Sequence, residues 1–94
     1  MVSVLLVTHS PLANALSEAA RWILGREFED FHALDLDPAA SPQEHLSELE
    51  RTLSRLDGEQ VLILTDLFGG TPHNLALTQL EPGRVEVVSG ANLP

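Results

Sequence analysis

The chain has 94 residues, 44% of them apolar and 20% charged, which suits one domain with a thin core and excludes a disordered chain. Its formal net charge is −9, with no lysine and cations only at Arg21, Arg26, Arg51, Arg55 and Arg84. That balance argues against nucleic acid or an acidic membrane surface as partner and favours a basic protein; the absence of cysteine excludes disulfides, thiolate metal sites and cysteine nucleophiles.

In chain order, Val2 to Thr8 is a β-branched-rich run without polar alternation, the pattern of a central parallel strand covered on both faces. No basic residue precedes it and no small-residue cleavage site follows it, so it reads as a strand rather than a signal peptide. No run approaches the ~20 apolar residues that span a membrane, so no direct membrane insertion and a cytoplasmic location are expected. Ser10-Pro11 then reads as N-cap and first residue of a helix. Its stripe is Leu12, Leu16, Ala19, Ala20 and Ile23, and Gly25 stops it.

Phe31 to Leu36 alternates and predicts a strand nearer the edge. Ser41-Pro42-Gln43-Glu44 is a capping box with proline at its first helical position, Leu46, Leu49, Leu53 and Leu56 form the stripe behind it, and Gly58 ends the helix. Gln60 to Thr65 is a second central-strand run. Thr71-Pro72 repeats the cap-and-proline signal for a short helix carrying Leu75, Ala76 and Leu80, Pro82-Gly83 turns the chain, and Arg84 to Ser89 predicts a last edge strand.

The order β-α-β-α-β-α-β over residues 1–94, with no repeat or linker, predicts a single α/β domain with a parallel sheet and right-handed crossovers. With the first and third strands most apolar, the flavodoxin-like order 2-1-3-4 follows, and its switch point falls between those two strands. Ligands of such sheets bind beyond the carboxyl ends of the strands at that point, where His9 meets Asp66. A carboxylate that accepts the N–H at one ring nitrogen leaves the other as the nucleophile, so Nδ1 is expected to donate and Nε2 to react. Gly69, Gly70 and Thr71, with Ser10 across from them, offer backbone amides and hydroxyls for a phosphate.

This chemistry calls for no metal and no cofactor. A zinc site from His9, His73 and Asp66 lacks short ligand spacing, and a Ser10–His9 hydrolase pair lacks a nucleophile elbow. His32 on the edge strand and His45 on the charged second helix are unremarkable. Thr71 reads first as an N-cap and Ser10 carries the same double role. Leu67 and Phe68 are expected to face a partner, as is His73 near the start of the third helix.

Three stretches together resemble the IIA domain of the mannose-type sugar phosphotransferase system: Leu6-Val7-Thr8-His9-Ser10 with Leu12-Ala13, the long run Leu64 to Asn74, and Gly90-Ala91-Asn92-Leu93-Pro94. The resemblance implies that His9 is the active-site histidine, phosphorylated by the phosphocarrier HPr and donating to a IIB domain, and that Asp66 hydrogen-bonds it. It implies a phosphotransferase acting through a phosphohistidine, in a three-layer fold. The alternative use is a phosphorylation-dependent regulatory module that binds a regulator without sugar transport. Two departures stand out. Ser10 replaces a glycine common in the family, and the chain stops before the family's last helix and strand. Apolar surface left uncovered by that shortening, Trp22 included, predicts a homodimer or higher oligomer that covers it.

Overall fold

The computed structural model describes residues 2–25, 30–56, 60–67 and 70–90. Along these run β1 (Val2–His9), α1 (Leu12–Leu24), β2 (Phe31–Leu36), α2 (Pro42–Arg55), β3 (Gln60–Thr65), α3 (Thr71–Leu77) and β4 (Val85–Val88). Four strands among the described residues form one parallel sheet in the order β2-β1-β3-β4, the flavodoxin-like arrangement expected from the apolar runs.

Successive side chains of a strand point to opposite faces, and the two faces of this sheet differ in cover. On one face Leu5 and Val7 of β1, Leu34 and Leu36 of β2, Val61 and Ile63 of β3 and Val85 of β4 pack with Leu49 and Leu53 of α2, Leu56 just beyond it, and Ala76 of α3. This is the core. On the other face α1 lies against β1 and β2. There Leu6 is buried, whereas Leu62 and Leu64 of β3 are only half-buried and Val2 and Val88 are exposed. The far end of α1 is open too, with Trp22 at 88% and Ile23 at 81% of full exposure. Among the described residues no helix is long and apolar enough to cross a membrane.

Helix ends follow local chemistry with two corrections. At α2 the capping box is present as expected: the Glu44 amide donates to Ser41 Oγ at 3.1 Å, and the Ser41 amide donates to Glu44 Oε1 at 3.4 Å. Gly25, in the left-handed region at φ 71°, ends α1 and donates its amide to the Arg21 carbonyl. The expected cap of α1 by Ser10 is not made. Pro11 occupies the N-cap position, after a cis Ser10–Pro11 peptide, and neither it nor Ser10 caps with a side chain. The orphan amides at that end are taken by Asp35 at the end of β2, which accepts from the Ala13 amide at 2.8 Å and the Asn14 amide at 3.2 Å. Thr71 is likewise not an N-cap. Gly70 holds that position and Thr71 is the first residue of α3, one place too late for its hydroxyl to reach the helix amides as a cap. The expected end of α2 at Gly58 and the motif residues 91–94 lie outside the described residues.

Candidate functional site

His9 is the last residue of β1, paired in register with Leu36 of β2, rather than the first residue of a loop. Asp66 immediately follows β3, the neighbouring strand on the other side. The connections leaving β1 and β3 pass to opposite faces of the sheet, and the gap between them is where the two side chains meet.

Nδ1 of His9 lies 2.8 Å from Oδ2 of Asp66. The same oxygen accepts the His9 amide at 3.1 Å, and Oδ1 accepts the Leu67 amide at 3.0 Å, so the carboxylate is held from three directions. Asp66 is buried and the His9 side chain is 52% exposed. Burial pushes the Asp66 carboxyl up, but the hydrogen bonds from the His9 ring and amide and the charge of the ring outweigh it and hold the group below the usual carboxylate value of 3.8. A carboxylate that stays ionised can only accept, which assigns a proton to Nδ1; in the neutral ring the lone pair then lies on Nε2.

The ring is braced elsewhere by glycine. A Cβ on Gly70 would stand 3.4 Å from Cε1 of His9 and 3.4 Å from the Leu67 carbonyl oxygen, so a side chain larger than a methyl group would press on the imidazole. His9, Ser10, Thr71 and Pro72 line one part of a cavity of about 530 Å³, and Leu36, Pro38, Ala40, Pro42 and His45 line the rest. Ser10 and Thr71, both exposed, are therefore brought to the same hollow as His9, with the Ser10 amide anchored to the Leu36 carbonyl at 3.3 Å. Leu67 is exposed, and Phe68 and Gly69 lie outside the described residues.

His73 departs from expectation. It is 6% exposed, with Nδ1 3.2 Å from the Thr65 hydroxyl beneath the site, so it cannot face a partner. His73 lies three residues before Ala76, so the two share the face of α3 that is turned to the sheet. Two contributors escaped sequence reasoning. Asp35 also accepts from the hydroxyl of Thr8 at 3.3 Å and from the Asn14 side chain at 2.6 Å, tying the strand end that carries His9 to the start of α1. Its signal was a lone carboxylate inside the apolar run Phe31 to Leu36. His45 is buried against the cavity rather than on the charged outer face of α2.

The chain is 34% identical over 94 residues to the sorbose-specific EIIA component of Lacticaseibacillus casei, covering 99% of this chain and 67% of that protein. It is 32% identical to the fructose-specific EIIA component of Bacillus subtilis (strain 168), covering 100% of this chain and 65% of the relative, so it spans about two thirds of these proteins' length. Among solved structures it is similar to the EIIA component from Streptococcus agalactiae, with a TM-score of 0.84 at 26% identity over 99% of this chain and 72% of that one. The IIA protein associated with the fucose utilization operon of Streptococcus pneumoniae gives a TM-score of 0.87 at 28% identity, over 99% and 71% of the two chains. Residues 3–94 match the family described as EIIA-man, PTS system fructose IIA component, and with the sheet order and these relatives this means that the chain belongs to the mannose-type IIA family of the sugar phosphotransferase system.

Proposed function

We propose that His9 accepts a phosphoryl group at Nε2 from phosphorylated HPr and passes it to a IIB domain. The observation that carries this reading is the 2.8 Å contact between His9 Nδ1 and a buried carboxylate held below its usual protonation range. With Nδ1 protonated, the Nε2 lone pair attacks phosphorus as the donor's bond to phosphorus breaks, and the ring becomes a phosphorylated imidazolium. Asp66, already ionised, stabilises that positive charge without moving. Transfer onward reverses the step: the bond from Nε2 to phosphorus breaks, the lone pair returns to Nε2, and the acceptor's nucleophile takes the group. Ser10, Gly69 and Thr71 supply donors to the phosphoryl oxygens, and Gly70, whose amide donates to the Leu67 carbonyl at 3.2 Å, contributes the absence of a side chain beside the ring. Leu67 and Phe68 contribute to the partner surface. The chemistry needs no metal or cofactor, takes place in the cytoplasm where HPr supplies phosphate, and belongs to a homodimer that covers the open apolar end of α1.

Incubation with phosphoenolpyruvate, enzyme I and HPr should add one phosphoryl group by intact mass, labile to acid, stable to alkali and absent from His9→Ala. No gain with active donors would overturn the reading. Asp66→Asn should slow transfer about 10- to 100-fold, the worth of one hydrogen bond to a charged group, while leaving the chain folded. Equal transfer rates would remove Asp66 from the mechanism.

A further inference from the structure

His45 is 7% exposed yet has no part in the chemistry above. It lies in the first turn of α2, its amide donating to the Ser41 carbonyl at 3.0 Å. Its ring Nε2 stands 2.7 Å from the carbonyl oxygen of Asp37. A carbonyl only accepts, so Nε2 carries a proton whether the ring is neutral or charged.

That carbonyl also accepts the Ala40 amide at 3.0 Å, while the Asp37 carboxylate accepts the Ala39 amide at 2.8 Å. The turn between β2 and α2 is thus closed by Asp37 and gripped from the helix by His45. Its start is fastened to the site as well, because the Leu36 carbonyl accepts the amide of Ser10, next to His9. Pro38 and Ala40 of this turn form the wall of the cavity that His9 shares. A leucine at position 45 would fill the space beside that wall, but the Asp37 carbonyl would lose its bond to the helix.

We propose that His45 is a positioning residue for phosphoryl transfer at His9, holding the 37–40 turn as the wall against which the phosphoryl donor docks. The proposal rests on the reading of His9 as the phosphoryl acceptor. His45 touches no reacting atom, so its effect falls on the binding of the donor rather than on the chemical step.

The test follows initial transfer rates to the whole chain against the concentration of phosphorylated HPr, regenerated by phosphoenolpyruvate and enzyme I. His45→Leu keeps the volume and removes the donor, and His45→Gln keeps an N–H. His45→Leu should raise KM about five- to tenfold, the loss of one hydrogen bond, with kcat nearly unchanged, and His45→Gln should recover most of that loss. The Ala40 amide should exchange faster in His45→Leu, in a chain that still melts cooperatively; if that variant does not fold, His45→Met takes its place. A wild-type KM in the variant lacking the donor, or equal KM values with and without the N–H, would overturn the proposal alone. No transfer to the wild type while HPr itself is phosphorylated would overturn the reading of His9 and this proposal together.

Discussion

At the scale of single residues, the site is one contact made twice over: Oδ2 of Asp66 receives both the ring and the amide of His9. The carboxyl is held below its unfolded value, so its contribution to stability is present above about pH 4 and is lost as pH falls through the folded value. The Asp66→Asn chain lacks that titration. Its melting temperature should lie below that of the wild type near neutrality, and the gap should stay constant down to about pH 4 and narrow as the pH falls further, through the folded value. Parallel melting curves across that range would show that the pair does not contribute in this way. His9 and Asp66 were legible in the sequence because each ends a run of apolar strand residues, and the switch point of the sheet assigns such ends a common place. His73 and His45 were not. Each lies on the buried face of its helix, His73 three residues before Ala76 and His45 four before Leu49, and a polar residue type there reads as surface until the partner that satisfies it, the Thr65 hydroxyl or the Asp37 carbonyl, is seen.

At the scale of elements, the capping of α1 separates what local sequence can say from what it cannot. Ser10-Pro11 has the composition of a helix start, yet the amides of Ala13 and Asn14 are satisfied by a carboxylate 22 and 21 residues away in sequence. A partner supplied by another strand leaves no local pattern. The Ser41 box, by contrast, is complete within four residues and was readable as it stands. The two capping assignments for α1 predict opposite outcomes. Asp35→Ala should cost about 1–2 kcal/mol, lowering the melting temperature by several degrees, whereas Ser10→Ala should change stability by less than about 0.5 kcal/mol. The reverse ranking in thermal unfolding would return the cap to Ser10. Because Asp35 also holds the hydroxyl of Thr8, its loss should slow transfer at His9 as well, without a change in the site's own residues.

At the scale of the whole molecule, the sheet has one finished face and one half-covered face. Strand number, order and direction were legible because the apolar runs of β1 and β3 require central places and the weaker runs of β2 and β4 fit the edges. The extent of cover was not, since Leu62 and Leu64 read as buried on pattern alone and are half-buried in the fold. The exposed Trp22 and Ile23 belong to this open side. A homodimer that covers them should sediment as a dimer at micromolar concentration, and Trp22→Glu should shift it to monomer while the helical signal persists. A compact monomer from the unaltered chain would rule that assembly out.

The brace around the His9 ring has a consequence for traffic. Among the described residues, one edge of the imidazole is occupied by Asp66, the neighbouring carbon lies close to Gly70, and the ring lines the cavity. If His9 takes phosphate from one protein and gives it to another, as proposed, both must reach the same ring nitrogen, and they do so in turn. On that proposal donor and acceptor are rivals, and an excess of either should slow the relay by keeping the other waiting.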